Sequence, residues 1–123
     1  MKKQELGRLA EDAAACLYSE RGYRVVARNV RYGKIGELDL ILSRILSDGS
    51  PELVFCEVKC RSDTEFAPPA SAVTYQKQGR IQKLAQIFLL RHEAFYQAQL
   101  RFDVAEVAYR NGAFRVNILE NAF

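Results

Sequence analysis

Four charged residues occupy neighbouring apolar segments at positions from which their side chains could act together. Glu37 and Asp39 lie two residues apart in one segment, and Glu57 and Lys59 lie two residues apart in the next. Residues two apart in a β-strand point to the same face of the sheet, so each pair shares a face. The residues around them are apolar, and burying charge is costly unless it is paired or bound to a metal. These residues are therefore a candidate chemical site.

Two carboxylates and a neighbouring backbone carbonyl make an all-oxygen ligand set, which hard divalent cations such as Mg²⁺ prefer. Such a cation can lower the pKa of a bound water and neutralise charge on a phosphate. A lysine two residues from a ligand can orient that water or stabilise the transition state. The set fits metal-assisted hydrolysis of phosphodiesters. It fits no Ser-His-Asp or Cys-His scheme, because His92 is the only histidine and is distant in sequence.

The same residues also have a purely structural interpretation. A Glu-x-Lys pair is short and frequent by chance, and it is the ordinary pattern on the solvated face of an edge strand. Asp39 is equally acceptable as a residue at the end of a strand. A short motif is a hypothesis until its strand context is established, so both interpretations stay open at this point.

The elements that must position these residues follow from the spacing of apolar residues. Helical spacing runs from Leu6 to Tyr18 and recurs within residues 72–97, after a proline-containing loop at 61–71. Alternating, β-branched segments predict strands at 23–30, 37–42, 52–60, 101–109 and 114–119. The order α-β-β-β-α-β-β predicts an α/β protein with a mixed sheet flanked by helices, in one domain spanning residues 1–123.

The charge balance is modest but unevenly distributed. Eighteen Lys and Arg against fifteen Asp and Glu give a formal net charge of +3. Residues 21–34 and 66–92 contain basic residues and no acid. Two basic tracts around a small acidic group fit a phosphate-binding surface around a metal, and they fit two solvated faces equally well.

Several classes of protein are excluded by simple features of the chain. No apolar run approaches the roughly 18 residues that a membrane helix needs, and the first residues lack the apolar stretch of a signal peptide. The three cysteines form no Cys-x-x-Cys pair, so we expect neither a disulfide framework nor a zinc site. We therefore expect a cytoplasmic protein with no membrane partner.

Two segments taken together resemble a known signature. Residues 36–41 (Gly-Glu-Leu-Asp-Leu-Ile), followed by 53–61 (Leu-Val-Phe-Cys-Glu-Val-Lys-Cys-Arg), resemble the PD-(D/E)xK nuclease motif. Nearly the whole chain resembles the YraN family of small bacterial proteins, which is similar to archaeal Holliday junction resolvases. Further motifs of that family match in order along the chain: Gly7-Arg8-Leu9-Ala10-Glu11, Arg28-Asn29-Val30-Arg31, Lys77 with Arg80-Ile81 and Ala85, and Arg101-Phe102-Asp103-Val104.

The resemblance implies a restriction-endonuclease-like α/β fold and a set of site residues. It implies that Asp39 and Glu57 bind Mg²⁺, with Mn²⁺ as a substitute, and that the Val58 carbonyl is a third ligand. Lys59 would be the catalytic lysine, and Glu11 would match the resolvase carboxylate on the first helix. The resemblance implies the fold and the site residues more directly than it implies the substrate.

The predicted function is that of a metal-dependent endonuclease acting on nucleic acid, in first place DNA, with branched or junction DNA among the candidates. Arg31, Lys77, Arg80 and Lys83 are predicted to contact phosphates, which position DNA without reading its sequence, and Lys77 is also a candidate for the active site. Asp103 is predicted to be structural, paired with an arginine. Symmetric cutting of a junction would need a homodimer. The alternative hypothesis is a nucleic-acid-binding or accessory module that keeps the fold without cleaving.

Overall fold

The computed structural model describes residues 2–61 and 73–123, and in these it contains two α-helices and five β-strands. In chain order they are α1 (Lys3–Glu20), β1 (Arg24–Tyr32), β2 (Gly36–Ile45), β3 (Pro51–Arg61), α2 (Tyr75–Leu90), β4 (Gln99–Arg110) and β5 (Ala113–Leu119), with a 3₁₀ turn at Glu93–Phe95. The predicted order of helices and strands is confirmed. The loop predicted at 61–71 is wrong at its first residue, because Arg61 still belongs to β3. The rest of that loop and the helix start predicted at residue 72 lie outside the described residues.

The second helix is shorter than the sequence predicts, because it ends at Leu90 and not at residue 97. His92 leaves the helical conformation, with φ −135° and ψ 81°. Its Nδ1 lies 2.8 Å from the Phe88 carbonyl oxygen, one of the terminal carbonyls of the helix. Phe95 still packs against the same core as α2. The apolar spacing therefore continues beyond the helix, which is why the prediction overran its end.

The five strands form one mixed sheet in the order β1-β2-β3-β4-β5. β1 pairs antiparallel with β2, and β2 pairs antiparallel with β3; β3 and β4 are parallel, and β5 returns antiparallel to β4. A parallel pair requires a crossover connection, and α2 lies within the one that joins β3 to β4. The predicted mixed sheet flanked by helices is confirmed.

Each face of the sheet is covered by one helix. The first helix, α1, buries Ala14 and Tyr18 against a face that includes Leu40. The second helix, α2, buries Leu84 and Phe88 on the other face. Burial of apolar surface on both sides is the main stabilising contribution to such a layered fold, and it fixes which helix approaches each side of a strand.

The apolar C-terminal residues close these cores. Ile118 packs against the core beneath α1, whereas Leu119 and Phe123 pack against the core beneath α2. The Phe123 ring also stacks on Phe102 with the centroids 5.3 Å apart. Among the described residues, no helix has the length and apolar character needed to span a bilayer.

A buried ionic network lies near the C-terminal end of α1. Asp103 is 0% exposed and accepts hydrogen bonds from the Tyr18 hydroxyl at 2.7 Å and from Nε of Arg101 at 2.9 Å. The Asn121 backbone N–H donates to the same carboxylate, and Arg101 also donates to Glu52. The predicted pairing of Asp103 with an arginine is confirmed. The network joins α1, β3, β4 and the C-terminal residues.

Candidate active site

The candidate site forms where β2 and β3 cease to pair. Their antiparallel ladder ends at the pair formed by Leu40 and Cys56. Beyond that pair, β2 continues beside β1 as far as Gly36, and β3 continues beside β4 as far as Arg61. Backbone groups that face the resulting gap must find partners other than the opposite strand. The gap is thus a place in the sheet where side chains can meet backbone polar groups.

Asp39 lies at this gap, and its carboxylate spans it. Its Oδ2 accepts a hydrogen bond from the Val58 backbone N–H on β3 at 2.9 Å. Because the N–H and C=O of one strand residue point to the same side, the Val58 carbonyl also faces the gap. The Asp39 carboxylate on β2 and the Val58 carbonyl on β3 therefore face the same gap.

Glu57 adds a second carboxylate to the gap. Glu57 as a whole is 7% exposed. Burial raises the pKa of Asp39 to about 8, the negative charge of Glu57 adds to the rise, and the hydrogen bond from Val58 opposes it. Two neighbouring carboxylates do not both remain charged unless a cation offsets their repulsion; otherwise one of them holds a proton. The pair is therefore suited to binding a cation.

Two lysines face the carboxylates. Lys77, in the first turn of α2, places its Nζ 2.5 Å from Oε1 of Glu57. Burial and the neighbouring ammonium of Lys77 lower the pKa of Lys59, against the attraction of the two carboxylates. Burial also acts to lower the pKa of Lys77, but its contact with Glu57 prevails and leaves that pKa above the ordinary value. The sequence predicts Lys77 as a phosphate contact, and the structure places it in the carboxylate cluster.

Glu11 approaches the cluster from α1. Burial raises the pKa of Glu11, and a hydrogen bond from Asn29 and the charge of Arg28 oppose that rise. The Arg28 Nη2 lies 3.9 Å from Oε1 of Glu11 and 2.6 Å from Oδ1 of Asp12. The charge of Glu11 contributes to the raised pKa of Asp39. Glu11 is therefore close enough to act on the site through its electrostatic field.

Two exposed arginines flank the start of β2. Arg31 is 70% exposed, and its Nη1 lies 3.8 Å from Oε2 of Glu37. Arg80 extends from α2 over Gly36, where an added Cβ would come within 3.2 Å of the Arg80 Cδ. Lys83 is exposed on α2, about one turn beyond Arg80. The structure thus brings Arg31 and Arg80 to the same end of β2, and we call these two residues with Lys83 the basic rim.

The donor set at the gap suits a cation that keeps water ligands. Across residues 2–61 and 73–123, no three acidic, histidine or cysteine side chains gather closely enough to hold a metal between them. The gap offers two carboxylates, from Asp39 and Glu57, and the Val58 carbonyl. Mg²⁺ is commonly bound through one or two carboxylates, with waters and substrate phosphates completing its shell. The oxygen donors fit Mg²⁺, and they do not fit the nitrogen and sulfur preference of zinc.

Asn29 is a site residue whose role the sequence does not predict. Its φ is 52° in the middle of β1, a conformation that residues other than glycine, asparagine and aspartate seldom adopt. It lies between the β1 residues that pair with Leu38 and Leu40, and its side chain bonds to Glu11. The available signal is an asparagine inside a β-branched segment, because asparagine is depleted in strands.

The order of elements and the mixed sheet make this chain an α/β protein of the predicted architecture, with paired carboxylates and a lysine at a break in the sheet. The model of the uncharacterised protein family UPF0102 matches residues 10–107. A UPF0102 protein of Natranaerobius thermophilus is 38% identical over 111 residues, covering 90% of this chain and 89% of the relative.

Two further relatives cover more of the chain. A UPF0102 protein of Symbiobacterium thermophilum is 40% identical over 121 residues, covering 98% of this chain and 97% of the relative. One of Desulforapulum autotrophicum is 38% identical over 122 residues, covering 99% and 95%. The chain therefore belongs to UPF0102, which is the YraN family, and the resemblance noted from the sequence is confirmed.

Proposed function

We propose that this protein is a Mg²⁺-dependent endonuclease that hydrolyses phosphodiester bonds in DNA, with branched or junction DNA as the candidate substrate class. The observation that carries the proposal is the convergence of Asp39, Glu57 and Lys59 on one gap in the sheet. Carboxylates, a backbone carbonyl and a lysine around one space are the groups that metal-assisted phosphodiester hydrolysis needs.

A structural role accounts fully for Asp103 but only in part for Asp39. Asp103 is surrounded by donors, including the Tyr18 hydroxyl and the guanidinium of Arg101. Asp39 accepts a backbone hydrogen bond but faces the carboxylate of Glu57, and its raised pKa shows that its charged form is disfavoured there. Two carboxylates held side by side lower stability unless a cation offsets their repulsion. Their placement therefore supports a cation site.

The chemistry divides between the ion and the side chains. Asp39, Glu57 and the Val58 carbonyl are the groups that would hold Mg²⁺, and Mn²⁺ would substitute because it takes the same oxygen ligands. When bound, the ion neutralises charge on the phosphate and lowers the pKa of a water that it holds. Lys59 supplies an ammonium that orients the attacking water or stabilises the phosphate oxygens. Its lowered pKa makes it a readier proton donor than an exposed lysine.

The basic rim provides the contacts with DNA. Arg31, Arg80 and Lys83 are exposed, and Arg31 and Arg80 lie at the start of the strand that carries Asp39. Such side chains bind phosphates, which sets the position of a duplex and makes its affinity depend on salt. Symmetric cleavage of a junction would require a second copy of the chain, in a homodimer.

The experiment is a cleavage assay on labelled four-way junction, flap, single-stranded and duplex DNA with Mg²⁺ or Mn²⁺. The variants are Asp39→Ala and Lys59→Ala, and the matched control is Glu93→Ala, which removes an exposed carboxylate in the 3₁₀ turn. We expect cutting by the wild type and the control, and loss of cutting in both site variants.

Binding without cutting, equal in all four proteins, would contradict the proposal. That result would favour a nucleic-acid-binding or accessory module in which the two carboxylates serve no cleavage reaction. Cutting that persists in Asp39→Ala would place the chemistry elsewhere in the chain.

A further inference from the structure

The ion pair between Lys77 and Glu57 occupies one of the two carboxylates of the proposed metal site. The Nζ of Lys77 lies 2.5 Å from Oε1 of Glu57, whose side chain is 8% exposed, whereas the Lys77 side chain is 33% exposed. The buried partner is thus fixed by strand β3, and the mobile partner is a flexible lysine that reaches solvent. A divalent cation and Lys77 would compete for the same carboxylate.

Across residues 2–61 and 73–123, the negative groups that act on Lys77 are the carboxylates of Glu57 and Asp39. Lys59 places a second ammonium beside it. Lys77 also lies in the first turn of α2, which contains no acidic residue, and a helix N-terminus carries a partial positive charge that repels a cation. Loss of the negative charge of Glu57 would therefore weaken the attraction that holds Lys77 there, against the repulsion of Lys59 and of the helix N-terminus.

Without a metal, the cluster holds as many ammonium groups as carboxyl groups. Asp39 and Glu57 contribute two carboxyl groups, and Lys59 and Lys77 contribute two ammonium groups. A divalent cation adds two positive charges to a cluster that has no excess of negative charge. Electroneutrality then favours either the departure of an ammonium or the arrival of an anion such as a phosphodiester.

We propose that Lys77 is a resident counter-ion that holds Glu57 in the metal-free protein and transfers its contact to the DNA phosphate when a divalent cation takes Glu57. The proposal rests on the proposed metal site and deepens it. It makes metal binding and DNA binding cooperative, because the ion releases the ammonium that the phosphate then engages. Lys83 is exposed on the same helix, and its contact with a phosphate does not depend on a bound cation.

The experiment measures DNA affinity of the wild type, Lys77→Met and Lys83→Met in EDTA and in Ca²⁺, which serves as a divalent probe while the labelled junction stays intact. Methionine keeps the length and apolar stem of lysine, and circular dichroism establishes that each variant is folded. A parallel calorimetric titration measures the affinity of each protein for Mg²⁺ alone. Lys77→Gln, a second neutral variant, guards against a packing effect of methionine.

We expect Lys77→Met to leave DNA affinity unchanged in EDTA and to lower it about 5-fold to 10-fold in Ca²⁺, in keeping with one charge-assisted contact. Lys83→Met should lower affinity by the same factor in both conditions. Lys77→Met should also bind Mg²⁺ more tightly than the wild type, since a competing cation has been removed. Lys77→Gln should behave in the same way.

Equal losses for Lys77→Met with and without Ca²⁺ would make Lys77 an ordinary phosphate contact and overturn the proposal. No loss in either condition would make it a structural ion pair and also overturn it. Failure of the wild type to bind Mg²⁺ or Ca²⁺ at all would instead remove the metal site, and with it the proposed function on which this inference rests.

Discussion

The Val58 backbone N–H donates to the carboxylate of Asp39 across the gap between β2 and β3, over 2.9 Å. A side chain thus takes the place of the main-chain ladder at the point where the two strands separate. Because this bond needs an oxygen acceptor and not a charge, Asp39 can be neutralised without removing the link between the strands. The effect of the charge of Asp39 can therefore be tested separately from the effect of its hydrogen bond.

Asp39→Asn should make stability less dependent on pH. The folded-state pKa of Asp39 is about 8, above its ordinary value of 3.8. The protonated form therefore favours folding, fully below the ordinary pKa, and this contribution is lost as pH rises through about 8. We expect the wild type to lose roughly 1–3 kcal/mol more than the variant between about pH 6 and pH 9. Urea unfolding in EDTA measures this, and parallel pH profiles would contradict it.

The basic rim should govern the salt dependence of DNA binding. Neutral replacement at Arg31 or Arg80 should weaken binding by a similar factor for all sequences and lower the slope of log affinity against log salt by about one. Arg115→Met is the control, because Arg115 is exposed on β5 at the far edge of the sheet. Fluorescence anisotropy over a salt series provides the slopes. Slopes that match those of the control would remove the rim from the interface.

Asp103→Asn should be strongly destabilising. The variant removes one of the two carboxylates to which the buried guanidinium of Arg101 donates, and Glu52 remains. Breaking a buried pair costs at most about 3–5 kcal/mol. Asp48→Asn is the control, since Asp48 is exposed in the turn between β2 and β3. Chemical denaturation compares the two. A loss below roughly 1 kcal/mol in Asp103→Asn would mean that the network carries little stability.

Asn29 should tolerate glycine better than valine. Its φ of 52° costs a β-branched residue more than it costs asparagine, whereas glycine adopts it freely. Asn29→Val should therefore be less stable than Asn29→Gly by about 1–2 kcal/mol, even though valine favours strands elsewhere. Thermal unfolding of both variants measures the difference. The reverse order would show that the left-handed conformation relaxes without penalty.

The sequence predicts the parts of this structure that depend on neighbours along the chain. Strand alternation places Glu57 and Lys59 on one face, and apolar spacing identifies both helices. It does not predict the contact between Lys77 and Glu57, because that depends on how α2 packs on the sheet after a crossover. Likewise, the left-handed conformation of Asn29 depends on its place beside the gap, and no spacing of residues encodes it.

Titration of the metal-free protein with Mg²⁺ determines whether the gap that holds Asp39 and Glu57 is a divalent cation site. Calorimetry near pH 7, in two buffers of different ionisation enthalpy, should show one site and release of about one proton per ion, because a group with a pKa of about 8 is mostly protonated there. Asp39→Asn should bind at least roughly tenfold more weakly and release no such proton. Absence of binding in the wild type, or equal affinity in the two proteins, would contradict a divalent cation site at these carboxylates.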